Sequence, residues 1–294
     1  MSLEIREQVT AAVSRLPSAG AWSEIEEILL TPHDQPLYRD GVVWSLLGEW
    51  LATGLGDETV TEDQIEQCER IFELMPYQVR DRGGDYAPEH SPLWPYMRHL
   101  GYGPKRKIGK SLLDLIEKST HIRSLEFKAS DLCKKEDFIF GLSHLERLEI
   151  TSTSRTKTLE LEHTFEHIKA LAIPHSGLHT YALEENFPNL TRLEISYAKH
   201  LTDLSEIANL DGLEHLSLRG CEAITSLEPL SALSGLKTLD LYSCKGLTDH
   251  ETLACFEELE WIDLTVCWRL GVKPDVSVLP TREAVRAYQD TILG

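Results

Sequence analysis

The sequence predicts an α/β solenoid, seven repeats of about 23 residues set behind an all-helical N-terminal domain. Three observations predict it. Leucine-type residues recur at a fixed period over residues 120–280. Within each period they alternate in and out, as side chains do along a short strand. The first 119 residues lack that period and show helical spacing instead. Sequence pattern alone therefore divides the chain into a helical N-terminal capping domain (1–119), a solenoid (120–280) and a C-terminal capping helix (281–294).

The period is counted from one marker per unit: Ile122, Leu145, Ile168, Leu190, Leu213, Leu236 and Leu259, at steps of 23, 23, 22, 23, 23 and 23. Three residues later stand Leu125, Leu148, Leu171, Leu193, Leu216, Leu239 and Ile262; two further on stand Phe127, Ile150, Ile173, Ile195, Leu218, Leu241 and Leu264. A fixed period of this length marks units that cannot bury their apolar side chains singly but can when stacked. Each unit returns through a second segment with apolar residues at threes, as in Leu204, Ile207 and Leu210 or Leu227, Leu230 and Leu233, which suits a short helix or 3₁₀ turn. Eight residues after the markers the chain turns inward at small side chains: Ser130, Thr153, Ser176, Ala198, Cys221, Cys244 and Cys267. With neighbouring strands about 4.8 Å apart, the three thiols form a ladder, expected as buried structural cysteines.

The pattern L-x-x-L-x-L-x-x-C resembles leucine-rich repeats. "LTDLSEIANLDGLEHLSL" (201–218) is similar to internalin-type units, and the cysteines with "GLTD" (246–249) to the cysteine-containing subclass. The resemblance implies a right-handed superhelix whose strands line a concave face, and a protein partner. F-box modules often precede cysteine-type repeats; residues 1–60 contain no sequence of that kind.

Before the repeat, helices are expected near 3–16, 22–30, 40–53, 61–75 and 108–118. Thr61 followed by Glu62, Asp63 and Gln64 reads as a helix start, and Trp44, Leu47, Trp50 and Leu51 form an apolar stripe at helical spacing. Residues 76–107 are rich in Gly, Pro and aromatics. A loop of that length is uncommon unless it has a role, and Arg80, Asp81, Arg82, Asp85, His90 and His99 make it an alternative ligand or enzyme site. After the repeat, Ala284, Val285 and Tyr288 are expected to face inward from a terminal helix.

The formal charge of −19 is spread evenly, 12 basic and 20 acidic side chains in residues 1–120 and 17 and 28 thereafter. That balance disfavours nucleic acid and anionic membranes and favours a basic protein partner. No apolar run reaches membrane-spanning length, and cysteine usage points to a reduced, cytoplasmic protein. The pattern leaves the oligomeric state open.

Chemical motifs are sparse. "PKRKIGKS" (104–111) touches the phosphate-loop pattern but has Pro104 where its first glycine belongs and no preceding strand. His163, His167, His175 and His179 form two H-x-x-x-H pairs, expected at opposite ends of one strand and therefore not as one metal site. No signature of nucleophilic or acid–base catalysis and no cofactor motif is present, so the chain reads as a non-enzyme.

The functional expectation rests on the strand positions two, four and six after each marker, which point away from the leucines. The fourth-position column reads Glu126, Glu149, Ala172, Glu194, Ser217, Asp240 and Asp263. Stacked like charges about 6 Å apart repel by roughly 0.7 kcal/mol per pair in water, a cost that folding does not require. Flanking columns add Arg147, Arg192, His215, Arg219, Tyr242 and Trp261, with Tyr197 one position further. The expected partner-binding set is Glu149, Arg192, Glu194, Tyr197, His215, Arg219, Asp240, Tyr242, Trp261 and Asp263; the alternatives are that Arg147 and Arg192 pair with glutamates on the same face as a solvated surface and that the C-terminal segment covers Trp261. A narrower version is an immunity or inhibitor protein for a basic toxin or enzyme.

Overall fold

The computed structural model describes residues 2–31, 36–75, 93–100, 110–151, 156–271 and 277–293. The chain divides into two compact units, Met1–Leu125 and Glu126–Gly294, where the pattern alone placed the division at 119/120.

In the first unit the described helices are α1 (Ser2–Val13), α2 (Ala19–Leu30), α3 (Pro36–Gly56), α4 (Glu62–Glu73) and α5 (Lys110–Lys118). Their core holds Val9, Ile25, Val43, Leu47, Leu51 and Phe72. The aromatic side chains lock it at specific angles: Trp22 meets Trp50 edge-on at 5.7 Å, and Trp44 lies 4.5 Å from Phe72. Ser18 caps α2, its side chain accepting from the Ala21 N–H, and Gln64 reaches back to accept from the Thr61 N–H at the start of α4.

This unit is not all helix. Within the 76–107 segment lie a 3₁₀ turn at Trp94–Tyr96 and a strand, β1 (His99–Leu100), paired in parallel with the start of β2 (Ser124–Lys128). A first solenoid strand left alone would expose a row of unpaired backbone groups, and β1 takes them up: Ser124 and Arg123 donate to the Arg98 carbonyl in the approach to the pairing. Residues 76–92 and 101–109, with Arg80, Asp81, Arg82, Asp85, His90 and most of the lysine-rich run, lie outside the described residues.

In the second unit the strands follow one another in chain order: β3 (Arg147–Thr151), β4 (Ala170–Pro174), β5 (Arg192–Ser196), β6 (His215–Ser217), β7 (Thr238–Asp240) and β8 (Trp261–Asp263), all parallel, then β9 (Val278–Leu279), antiparallel to β8. The register joins Leu148, Leu171, Leu193, Leu216, Leu239 and Ile262 into one row. All are buried, as are the residues two further on. The returns are short: α6 (Ala129–Leu132), α7 (Glu136–Gly141), α8 (Leu183–Asn186), α9 (Ser205–Ala208) and 3₁₀ turns at Glu228–Ala232, Glu251–Cys255 and Trp268–Leu270. The unit is an α/β solenoid.

At the inward turn, Ser176, Ala198, Cys221, Cys244 and Cys267 are buried as expected of small corner residues. Ser130 is not: there the chain enters α6 directly, so Ala129 is buried and Ser130 is exposed. Thr153 lies outside the described residues. Each thiol donates to a carbonyl of the preceding turn, Cys221 Sγ to Ile195 O at 3.3 Å, Cys244 to Leu218 O at 3.1 Å and Cys267 to Leu241 O at 3.0 Å. All six cysteines are free. Burial pushes the Cys221 thiol up to about 12 and Cys267 to about 11, and Cys244 higher still, so the ladder stays protonated.

A feature absent from the sequence pattern precedes these corners. His175, Tyr197, Gly220, Ser243 and Val266, one per turn and seven residues after their markers, are all left-handed, with φ of 51°, 51°, 70°, 61° and 65°. Only one is glycine. The turns hold the other four in a conformation that L-residues adopt at a cost of about 1 kcal/mol or more.

The chain closes with α10 (Arg282–Leu293), which packs on the 251–255 turn, β8 and β9. Val285 is buried, Ala284 and Tyr288 are half-buried, and the residue that sequence reading passed over is Gln289. Its buried Nε2 donates to Leu253 O at 2.8 Å and Phe256 O at 3.0 Å, satisfying carbonyls at the end of the array.

Candidate functional site

The face of the sheet opposite the leucines carries the expected partner-binding set, and the structure sorts it into two classes. Glu149, Trp261 and Asp263 are buried, Asp263 to 1% exposure and Trp261 to 9%, which corrects the expectation that they stand open to a partner. Trp261 is buried on β8, against whose far edge β9 pairs and near which α10 packs. Arg147 and Glu126 are buried too. Arg192, Glu194, His215, Arg219, Asp240 and Tyr242 are half-buried, and Tyr197 is 43% exposed.

Asp240 and Asp263 are explained by the backbone. Asp240 Oδ1 accepts from the Tyr242 N–H at 3.0 Å, and Asp263 Oδ1 from the Thr265 N–H at 2.8 Å. An aspartate that bonds its own backbone two residues on closes a turn in competition with the strand ladder. β7 and β8 stop at these residues, after three residues, as β6 does at Ser217, where β3, β4 and β5 run for five. The next N–H of the preceding turn goes to the aspartate's carbonyl: Leu218 N–H to Asp240 O at 2.8 Å and Leu241 N–H to Asp263 O at 2.9 Å. The acidic column therefore does structural work at its C-terminal end.

Arg219 ties the two aspartates together. Its Nε donates to Asp240 Oδ2 at 3.1 Å, its Nη2 lies 3.8 Å from Asp263 Oδ2, and its guanidinium sits 4.4 Å above the Tyr242 ring. Ser217 Oγ donates to Asp240 Oδ2 at 3.4 Å. Burial raises the Asp240 carboxyl above its ordinary range, with Arg219 and the Tyr242 N–H opposing. On β6, burial lowers His215 to about 4, helped by Arg192 and Lys237 and opposed by Glu214, so its ring is neutral at neutral pH. The ring contacts Thr238 Oγ1 through Nδ1 at 2.9 Å.

Tyr197 lies at the edge of this face, stacked on His175 at 5.0 Å with 12° between the rings. It also covers Gly220, where a Cβ would fall 2.4 Å from the ring. The remaining histidines disperse as expected around β4: His163 bonds Asp137 at 2.8 Å and stacks on Phe140, while His179 stacks on His200 in the next turn. Burial, then His144, lowers His167. Among the described residues no group of three or more His, Cys, Asp or Glu is arranged to hold a metal ion, and no helix is long and apolar enough to cross a membrane.

Sequence reading missed Trp268, 74% exposed on the last 3₁₀ turn. The signal was available: it follows the corner cysteine directly, where the two preceding turns place Glu222 and Lys245.

No family model matches the sequence, and no curated protein sequence matches it. Among solved structures the chain is similar to the leucine-rich repeat domain of the type III effector XopL, at 18% identity and a TM-score of 0.44, over 94% of this chain and 91% of that one. It is similar to an LRR protein of Leptospira interrogans at 18% identity and a TM-score of 0.41, over 64% of this chain and 53% of that one. An internalin of Listeria monocytogenes matches at 16% identity and a TM-score of 0.30, over 90% and 88%. In structure as in repeat pattern, the chain resembles leucine-rich repeat proteins.

Proposed function

We propose that this chain is a non-enzymatic protein-interaction module. In this reading seven repeats of about 23 residues wind as a right-handed superhelix, and a partner protein is held on the concave face. One observation carries it: Arg192, Glu194 and His215 on parallel strands, and Arg219 and Tyr242 just past the ends of β6 and β7, stand half-buried, with Arg219 held against Asp240 and over the Tyr242 ring and Tyr197 exposed beside them. Side chains already ordered lose little freedom on binding, and Tyr and Arg are the residue types that dominate interface energetics. The net charge of −19 supports a basic partner through steering and speaks against nucleic acid and anionic membranes. Protonated, unpaired thiols suit a reducing compartment such as the cytoplasm.

The test is affinity purification of the full chain with mass spectrometry, followed by binding kinetics with the captured protein at low and high salt. Association slows as salt rises. Tyr197→Ala combined with Glu194→Lys weakens binding at least tenfold, whereas Glu257→Lys with Glu258→Lys, away from the strand face, has a smaller effect. Equal losses from the two pairs would refute the placement of the partner.

A further inference from the structure

Resting on that binding reading, we infer that Arg192 is the receptor for one carboxylate of the partner, the side chain of an aspartate or a glutamate, and that this contact fixes where the partner sits along the strands. Arg192 opens β5 on the face opposite the leucines and is half-buried. Its neighbours across the sheet are Ala170 on β4 and His215 on β6. Ala170 has no polar side-chain group, and burial, helped by Arg192 and Lys237, keeps the His215 ring neutral. The other cations of this face have their counter-charges: Arg219 has Asp240 at 3.1 Å and Asp263 at 3.8 Å, and Lys237 has Glu214 at 3.0 Å. Glu194, two residues along β5, is already engaged. Among the described residues the Arg192 guanidinium makes neither a side-chain hydrogen bond nor an ion pair.

The composition makes that isolation unusual. The chain holds 48 acidic side chains to 29 basic ones, so acids are the commoner neighbours available, yet this arginine has an alanine and a neutral imidazole beside it. A half-buried guanidinium keeps only part of its water, and its planar fork matches a carboxylate through two parallel N–H···O bonds. His215 adds a donor. Its Nδ1 meets the Thr238 hydroxyl at 2.9 Å, and its Nε2 stands 4.0 Å from Glu214, beyond hydrogen-bond reach. With the hydroxyl donating to Nδ1, the ring's one proton lies on Nε2. A monoanion suits the place better than a phosphate, because Glu194 on the same strand and Glu214 beside His215 repel a second negative charge. The net charge of −19 steers a basic surface from a distance; the Arg192 contact acts at hydrogen-bond range, after approach, and sets register.

The experiment titrates the full ¹⁵N-labelled chain with three acetylated, amidated peptides, Gly-Glu-Gly, the neutral Gly-Gln-Gly and Gly-phosphoserine-Gly. The side-chain Nε–H signals of Arg192 and Arg219 are followed by NMR. A saturable Arg192 shift with the glutamate peptide is expected, with an affinity about tenfold above that for the glutamine or the phosphoserine peptide. The Arg219 Nε–H, already bonded to Asp240, moves little. Arg192→Gln lowers the affinity for the glutamate peptide about tenfold, while Lys245→Gln, the same loss of charge at a residue paired with Glu222 outside this face, leaves it unchanged. Equal shifts with the glutamine peptide, tighter binding of phosphoserine, no saturable shift with any peptide, or undiminished binding by Arg192→Gln would overturn the inference. The glutamine comparison on the unsubstituted chain decides the question even if the variant folds poorly. A captured partner that is lost with Tyr197→Ala and Glu194→Lys but bound equally by Arg192→Gln would overturn this inference and leave the binding reading standing. Absence of any partner would overturn that reading, with the peptide titration deciding this one on its own.

Discussion

Gly220→Ala tests the most unusual element of the turns, the left-handed column and the ring packed across it. The glycine has φ 70°, and an added Cβ would lie 2.4 and 2.6 Å from Cδ1 and Cε1 of Tyr197. Two costs follow. Placing alanine in the left-handed region costs about 1 kcal/mol, of which about half is offset because alanine also has less freedom in the unfolded chain. The Tyr197 ring must then leave its seat, giving up its stack on His175 and its cover over the turn, worth about 1 kcal/mol. The sum is about 1.5 kcal/mol. In a Tyr197→Ala background the second cost disappears and Gly220→Ala loses only about 0.5 kcal/mol of stability. The coupling is therefore about 1 kcal/mol, a factor of about five in the folded-to-unfolded ratio. Urea unfolding followed by circular dichroism on the four proteins of the cycle measures it. A Gly220→Ala cost that is the same in both backgrounds, within about 0.3 kcal/mol, would refute the claim that the ring and the glycine are coupled.

Gly246→Ala is worse than Gly220→Ala, because its Cβ would fall 2.3 Å from Glu222 O and 2.7 Å from Ile224 O, backbone atoms that cannot swing aside; urea unfolding should show a loss of about 3 kcal/mol. Gln289→Ala strands the Leu253 carbonyl, leaves Phe256 O with only the long bond from the Leu259 N–H, and costs about 2 kcal/mol by the same assay. His215 has a folded-state pKa of about 4 against an ordinary 6.5, so unfolding takes up a proton between those values. Stability is full above about pH 6.5 and is lost as pH falls toward about 4; His215→Gln should flatten that stretch of a urea-midpoint profile. A thiol reagent applied at pH 8 should label the two exposed cysteines, Cys133 and Cys255, rapidly and the four buried ones only after unfolding.

The solenoid was legible because its cause is local and periodic. Leu216 and Leu239 are 23 residues apart for the same reason that they are neighbours across the sheet: each row of burial needs one leucine from every turn. The cysteine corners were legible on the same ground. Asp240 and Asp263 were visible as a column but misjudged in purpose, since periodicity shows which way a side chain points and not which N–H it will find two residues on. For Trp261 the repeat left two readings, an exposed ring or one covered by the C-terminal segment, and burial on β8 favours the second; the repeat could not choose, because β9 and α10 come from residues after it and carry no period. The left-handed column was invisible. Glycine is the usual mark of such a backbone, yet His175, Tyr197, Ser243 and Val266 occupy four of these five positions. β1 escaped for a related reason: two residues pair by register alone and are too few to show alternation.

The antiparallel β9 and the glutamine seal have an evolutionary corollary. A lineage that lengthened this protein by duplicating a unit would have to insert it internally, among turns whose two edges match. Appended after Trp261–Asp263, a new turn would meet an edge already paired in the opposite direction and two carbonyls already claimed by Gln289. The terminal stretch acts as a stop on growth, so relatives of different length should differ in the middle of the array and share its last turn and helix.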